Sequence, residues 1–215
     1  MPERESLWGR SKGPAQIKGN DMRRWTTALA AVILAAGAAA TTIPTAAAAS
    51  AATACPTGWG SLDRQDRKDP YQPQALTNIR TGAQECFDRL VLDVPGTTPA
   101  NPLAYQVHYV TGNAVQQAGS GTPIPVRGGA VLEIVVGATT YDPATWQVVY
   151  PGRAGEPLPG VDLNGYRTFA DTRFAGSFEG ETQIGLGVRA RLPFRVFQLD
   201  NRLVIDVAHT WGATA

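Results

Sequence analysis

Short apolar or alternating runs, separated by Gly, Pro, Asn and Asp, cover the chain from Leu76 onward. No stretch in this part holds an apolar helical period, so the pattern predicts an all-β domain of short strands. The predicted strands are 76–80, 87–94, 104–110, 130–136, 146–150, 182–192, 194–199 and 203–208. Two long stretches between them, 111–129 and 151–171, have loop composition, and loops of that length often carry binding sites.

One strand pattern occurs twice. The run DRLVLDV at 88–94 returns almost unchanged as NRLVIDV at 201–207. Both copies are rich in β-branched and apolar residues, which is typical of a strand buried on at least one face. The repeat therefore predicts a sheet protein built from similar halves. Within each copy an Arg precedes an Asp by four residues on the same face, and we interpret these as structural pairs: Arg89 with Asp93, and Arg202 with Asp206.

The clearest alternation runs from 182 to 192 and predicts one face in the core and one in water. The apolar face carries Ile184, Leu186, Val188, Ala190 and Leu192, and the other carries Gln183, Gly185, Gly187, Arg189 and Arg191.

On the polar face, the two arginines lie beside bare glycine backbone and form a candidate surface for a carboxylate, because a guanidinium binds a carboxylate through two parallel hydrogen bonds. Phe178 and Trp211 lie near in sequence and could stack on a sugar ring. The alternative is a solvated sheet face whose arginines serve solubility.

An apolar segment precedes the predicted domain. Residues 22–49 combine Arg23 and Arg24 with an apolar core over 28–40 and then small residues with A-x-A sites, the layout of a secretory signal peptide. The apolar core is short for a membrane span. Residues 1–21 are polar and patternless and are either an extended n-region or a stretch before the true start at Met22. We therefore expect a secreted or extracytoplasmic protein without an integral membrane span in its mature form.

The residues beyond 49 comprise 13 basic and 15 acidic side chains, a formal net charge of −2. This balance argues against nucleic acid or an anionic membrane as the main partner. Roughly 165 residues remain, enough for one domain with a sizeable core. Residues 50–75 are rich in Gly, Pro and polar side chains and predict an N-terminal coil arm, which leaves 76–212 as the domain.

Cys55 and Cys86 are the two cysteines of the chain, and a disulfide is the expected state in an oxidising compartment. It would close a loop of about 32 residues, worth roughly 3.5 kcal/mol in the chain-entropy model, and tie the arm to the first strand of the core. The alternative is a lipidated Cys55. Against it, residues 52–54 lack the Leu expected before a lipobox cysteine, and Cys86 would be left without a partner.

Groups for catalysis are few. His108 and His209 lie on different predicted strands, His108 on the polar side, and no metal-ligand spacing joins them. No G-x-S-x-G elbow occurs, and no cofactor is predicted. Glu179 and Glu181 flank Gly180 and could form a hydrolase carboxylate pair, although acidic residues in a glycine-rich loop are usually only solvated. We predict a protein that is not an enzyme.

Several motifs together resemble a known family. The run PFRVFQLDNRLVIDV at 193–207 resembles the closing strands of the AMIN domain, the amidase N-terminal module of bacterial cell-envelope proteins, and the segment 77–94 resembles its opening strands. With YRTF at 166–169 and GSFEG at 176–180, the whole of about 55–211 is similar to secreted AMIN-like proteins of actinobacteria. The resemblance implies a β-sandwich, an extracytoplasmic location and recognition of peptidoglycan or another wall polymer.

We expect a departure from the amidases, with no catalytic domain after the matching stretch. The chain also adds the stretches 111–129 and 151–171 and the cysteine pair. The hypothesis is a non-catalytic module that binds a wall polymer. Its candidate ligand-binding residues are Arg189, Arg191, Phe178, Glu179 and Trp211. The alternatives are an envelope module that binds another protein and a wall-glycan hydrolase that uses Glu179.

Overall fold

The computed structural model describes residue 55, residues 58–67 and residues 74–212. The predicted leader at 22–49 and the preceding residues 1–21 lie outside this part. Eleven strands and no helix occur in it, which confirms the all-β prediction. The strands are β1 (Arg64–Asp66), β2 (Asn78–Ala83), β3 (Phe87–Asp93), β4 (Tyr105–Tyr109), β5 (Ala114–Gln116), β6 (Pro123–Pro125), β7 (Ala130–Val136), β8 (Phe169–Phe178), β9 (Glu181–Val188), β10 (Phe194–Leu199) and β11 (Arg202–Ala208). Across the described ranges there is thus no helix that could span a membrane.

Two antiparallel sheets pack face to face. The five-stranded sheet has the order β1-β4-β7-β9-β8, the four-stranded sheet has the order β10-β11-β3-β2, and β5 and β6 form a separate hairpin. Period-two alternation sends one side of each strand into a shared core. The four-stranded sheet contributes Leu90, Leu92, Leu203, Ile205 and Val207, and the five-stranded sheet contributes Val107, Leu132, Ile134, Ile184 and Leu186, all buried. The fold is a β-sandwich, as the resemblance implied.

The two copies of the repeated motif are neighbours in one sheet. β3 and β11 pair antiparallel, with Leu90 opposite Ile205 and Arg89 opposite Asp206. The expectation of similar halves was wrong, because the copies pair with each other and are not equivalent strands of two units.

Several predicted elements differ from the structure. β7 and β10 coincide with their predictions, whereas β9 ends at Val188 and the predicted strand at 146–150 is only a single bridge between Tyr141 and Val148. β8, ten residues long, was missed. Its pairing with β9 is interrupted by register shifts after Phe169 and Phe174, and such bulges break the period-two pattern that reveals a strand. The predicted loop 111–129 contains the β5–β6 hairpin.

The N-terminal arm joins one edge of each sheet. Cys55 and Cys86 form a disulfide with a Cα–Cα distance of 5.3 Å, which confirms the predicted bond and leaves Cys55 no thiol for a lipid. Further on, Gly60 accepts a 2.9 Å hydrogen bond from the Phe194 amide of β10. The chain then forms β1 against β4 of the other sheet. The arm therefore pairs with residues 105–107 of β4 and forms one bridge to β10, which protects part of the unpaired backbone groups at both edges.

The buried Asp88 carboxylate and His209 fix the chain before β8. The Asp88 carboxylate is fully buried and accepts hydrogen bonds from the amides of Thr168 at 2.5 Å and Phe169 at 3.1 Å. His209 Nε2 lies 3.0 Å from the other Asp88 oxygen, and His209 Nδ1 lies 3.1 Å from the Glu85 carbonyl oxygen. Both ring nitrogens thus lie within hydrogen-bond distance of an oxygen atom, and this contact links the end of β11 to β3 and to the chain before it.

Replacing Ile205 by Ala tests the position of β11 in the core. Ile205 is fully buried, so the truncation should lower the free energy of unfolding by about 2–5 kcal/mol. Urea denaturation measures the change, with Leu62→Ala as the control because Leu62 is 74% exposed and should change stability by less than about 0.5 kcal/mol. A change at Ile205 as small as that of the control would contradict the core assignment.

Candidate functional site

The predicted glycine strip on β9 is covered by the β5–β6 hairpin. A Cβ atom added at Gly187 would lie 1.9 Å from the Arg127 carbonyl oxygen, and one added at Gly185 would lie 2.7 Å from Val126 Cγ2. The hairpin packs a second small apolar cluster on this face, made of Val115, Ile124, Val126, Val131 and Ala175. The glycines admit the close approach of another backbone. The expectation of a wet face there was wrong.

The candidate arginines lie beyond the end of β9 and not on its face. Arg189 donates a hydrogen bond to the His209 carbonyl oxygen. Arg191 donates to the Ser61 carbonyl oxygen at 3.0 Å, and its guanidinium carbon lies 4.8 Å from the Tyr109 ring centroid. Trp211 Nε1 donates to the Arg191 carbonyl oxygen at 3.1 Å. The structure therefore brings Arg191 and Trp211 together beside the arm.

The other two candidates lie at the opposite end of β9. Phe178 and Glu179 occupy the β8–β9 turn, where Glu179 has a φ of 49°. About eight residues of strand, or roughly 25 Å, separate this turn from Arg189. Phe178 lies against the tip of the β5–β6 hairpin at Gly119. The five predicted residues therefore do not form one site.

The groups considered for catalysis are dispersed. His108 points away from the core, as predicted, and its Nε2 lies 3.1 Å from Glu133 Oε2. His209 is engaged with Asp88, as described above. Over residues 55, 58–67 and 74–212, no three His, Cys, Asp or Glu side chains are grouped closely enough to hold a metal ion. Glu181 lines a groove of about 350 Å³ together with Asp66, Arg67 and Tyr105, whereas Glu179 does not.

The outer face of the four-stranded sheet carries a more organised set of side chains. Strand alternation places Leu90 and Ile205 in the core and puts Arg89 and Asp206 on the opposite face of the sheet, directly opposite each other. The register with β10 adds Arg195 opposite Asp206, and Phe197 in the next row. We call this surface the basic-aromatic face and define it by Trp59, Phe87, Arg89, Arg195, Phe197 and Asp206.

Two guanidinium groups converge on one carboxylate in this face. Arg89 makes two parallel hydrogen bonds to Asp206, at 2.6 and 2.9 Å. Arg195 adds one of 2.9 Å from Nε, and its terminal nitrogen lies 2.8 Å from the same carboxylate oxygen. The Asp206 side chain is fully buried, while that of Arg195 is 41% exposed. The hydrogen bond to Asp206 raises the pKa of Arg89, so the cation persists at every physiological pH.

Aromatic rings hold the guanidinium groups in place. The Arg195 guanidinium carbon lies 4.5 Å from the Trp59 ring centroid and 4.8 Å from that of Phe197. That of Arg89 lies 5.2 Å from the Phe87 centroid, and the Trp59 and Phe87 centroids are 5.6 Å apart. Such cation–π contacts favour a fixed guanidinium orientation. The arm supplies Trp59, so the disulfide-bonded segment contributes directly to this surface.

The outer sheet face carries excess positive charge. Alternation places Arg80 and Arg202 there with Arg89 and Arg195, against the two carboxylates Asp93 and Asp206. Arg80 binds Asp93 at 3.0 Å. Two positive charges are therefore uncompensated on one face of a domain whose formal net charge beyond residue 49 is −2. A fixed cation with an exposed edge and neighbouring rings can receive an anionic group or a flat ring.

Sequence reasoning missed this face because it paired each Arg with the Asp four residues later on the same strand. In the structure Arg89 binds Asp206 and Asp93 binds Arg80, both across strands. Residues four apart on a strand are roughly 13 Å from each other, whereas directly opposite residues on neighbouring strands are about 5 Å apart. The sequence did contain a signal for this face. When two strands with the pattern R-x-x-x-D pair antiparallel, the Arg of each strand lies opposite the Asp of the other.

The two-sheet architecture defines the protein as a β-sandwich, and its outer face carries an ordered basic and aromatic surface. A sequence model of the AMIN-like domain matches residues 74–209. The chain belongs to the AMIN-like domain family, which confirms the resemblance. No curated protein and no solved structure matches it.

Replacing Gly187 by Ala tests whether the hairpin covers β9. The added methyl group would collide with the Arg127 backbone, so the free energy of unfolding should fall by about 1–3 kcal/mol. The control is Gly82→Ala in β2, where a Cβ would meet its nearest described neighbour at an ordinary 3.5 Å. Equal urea midpoints for the two variants would mean that the glycine face is open.

Proposed function

We propose that this protein binds a polymer of the bacterial cell envelope, peptidoglycan foremost, without chemically changing it. The observation that carries the proposal is the convergence of Arg89 and Arg195 on the buried Asp206 among three aromatic rings. Membership in the AMIN-like family supports a role as an envelope-binding module outside the cytoplasm.

The chemistry of the basic-aromatic face suits a wall polymer. Peptide stems of peptidoglycan carry carboxylates, and a guanidinium binds a carboxylate with directed, charge-assisted hydrogen bonds. Asp206 neutralises only one of the two guanidinium groups that contact it, so the pair keeps a net positive charge. The edges of Trp59 and Phe197 provide apolar surface beside that charge, and sugar rings and peptide methyl groups have matching apolar faces.

The proposed site extends along the arm to Arg191 and Trp211. Arg191 binds Ser61, and Trp59, two residues earlier in the arm, lies under the Arg195 guanidinium. We include Arg189, Arg191 and Trp211 as a flanking part of the same surface. Phe178 and Glu179 lie at the far end of β9 and are not part of it.

The test compares Arg195→Gln with Arg153→Gln in binding to purified, insoluble peptidoglycan sacculi. Both changes remove one exposed positive charge, but Arg153 lies in the loop before β8, and Arg89 still pairs with Asp206 when Arg195 is lost. A lost charged hydrogen bond contributes about 1.5–3 kcal/mol, so Arg195→Gln should weaken binding roughly 10- to 150-fold. Arg153→Gln should leave binding within about twofold.

Two further measurements complete this test. Raising the salt concentration from about 0.05 to 0.5 M should weaken binding of the wild type more than that of Arg195→Gln, because salt screens exposed charges. Sacculi incubated with the protein should release no soluble fragments. Wild-type protein that fails to sediment with sacculi would refute the proposal, and capture of another envelope protein instead would favour an interaction module.

A further inference from the structure

A second exposed feature lies in the connection between β7 and β8, away from the basic-aromatic face. Residues 139–150 form a small hairpin closed by a bridge between Tyr141 and Val148. The Val149 amide donates to the Thr140 carbonyl oxygen at 2.9 Å, and the Asp142 amide donates to the Gln147 carbonyl oxygen at 2.8 Å. The tip of this hairpin is therefore held by regular backbone bonds.

Asp142 fixes the conformation of the tip. Its two carboxylate oxygens accept hydrogen bonds from the Ala144 amide at 2.8 Å and the Thr145 hydroxyl at 2.9 Å, and its carbonyl oxygen accepts from the Trp146 amide at 2.7 Å. The bond from Ala144, followed by that from Thr145, lowers the pKa of Asp142. The carboxylate is thus occupied in shaping the turn.

Trp146 is held at the tip in a strained and exposed conformation. Its φ is 60°, in the left-handed region that bulky side chains rarely adopt, and 72% of its surface is exposed. The indole stacks on Tyr141 with ring centroids 5.1 Å apart and planes 13° apart. One indole face is therefore supported and the other is open. Glycine or asparagine would suit this turn position better, and strain of this kind concentrates at ligand-binding positions.

The surroundings of Trp146 select the kind of ligand. Residues 139–150 contain no Lys, Arg or His, and the single acid, Asp142, is engaged within the turn. Phosphate, carboxylate and anionic lipid would find no cation within the hairpin itself. Thr145 and Gln147 are exposed neutral side chains flanking the indole. An open aromatic face with neutral hydrogen-bonding groups beside it matches a sugar ring, which has an apolar C–H face and a rim of hydroxyl groups.

We propose that Trp146, supported by Tyr141, is a glycan subsite that stacks on an uncharged or N-acetylated pyranose ring. This subsite rests on the proposed function in one respect: the glycan is taken to be the sugar backbone of the wall polymer. Its ligand needs no carboxylate, so the subsite acts independently of the basic-aromatic face. It would hold the glycan strand while the arginines hold acidic groups.

The experiment titrates the ¹⁵N-tryptophan-labelled protein with chitotetraose, an uncharged oligomer of N-acetylglucosamine, and follows the indole N–H signals by NMR. The Trp146 signal is assigned by its absence in Trp146→Gly. We expect that signal to shift saturably while the Trp211 signal stays in place. Arg195→Gln should bind chitotetraose as the wild type does, which separates this subsite from the basic-aromatic face.

Two variants distinguish stacking from general hydrophobic contact. Trp146→Gly should reduce chitotetraose affinity at least tenfold without lowering the melting temperature, because glycine adopts the required φ freely. Val148→Ala is the matched control: Val148 is 70% exposed on the same hairpin but has no aromatic face, so its affinity should change less than twofold.

A saturable shift that disappears in Trp146→Gly supports the proposal. Unshifted Trp146 signals at millimolar chitotetraose would overturn it, even if sacculus binding through Arg195 is retained. Equal losses of chitotetraose affinity in Trp146→Gly and Val148→Ala would also overturn it. That result would indicate a surface that makes apolar contacts with another protein. A Trp146 signal broadened by neutral phosphatidylcholine vesicles and not by sugar would indicate insertion into a lipid surface instead.

Discussion

The antiparallel pairing of β3 with β11 is the constraint on which the rest of the structure depends. In this register Leu90 and Ile205 face the core while Arg89 and Asp206 face outward and bind each other. A slip of one residue would exchange the two faces of a strand, burying arginine and exposing the core leucines. The cross-strand ion pair and the apolar core therefore specify the same register. The sandwich and the basic-aromatic face are two consequences of one alignment.

Asp206 shows how the fold accommodates a buried charge. An unpaired carboxylate in that position would be strongly destabilising, and removing one partner of a buried pair typically costs 3–5 kcal/mol. Two guanidinium groups share the carboxylate, and both are flanked by aromatic rings. One of these rings, Trp59, comes from the arm that the disulfide holds in place. The surface is therefore assembled from the arm, β3, β10 and β11, segments far apart in sequence.

Much of the fold could be predicted from the sequence because its signals are local. Alternating and β-branched runs identified the core strands, the repeated motif identified β3 and β11, and two cysteines behind a predicted leader indicated the disulfide. The parts that could not be predicted depend on relations between strands. The bulges of β8 erased its alternation, and the glycines of β9 gave no sign that a hairpin would lie on them. The basic-aromatic face escaped sequence reasoning for the same reason, since a partner about 5 Å away on the next strand is distant in sequence. The left-handed φ of Trp146 is likewise set by the Asp142 turn and not by the residue itself.

A double-mutant cycle between Arg89 and Asp206 measures how strongly their ion pair stabilises the β3–β11 register. The free energy of unfolding would be measured for Arg89→Met, Asp206→Leu and the double variant, beside the same cycle on the exposed pair Arg80 and Asp93. We expect a coupling energy of about 1.5–3 kcal/mol for the buried pair, against about 0.2–1 kcal/mol for the exposed one. If the changes in unfolding free energy of Arg89→Met and Asp206→Leu add up to that of the double variant within about 0.5 kcal/mol, this ion pair does not hold the β3–β11 register.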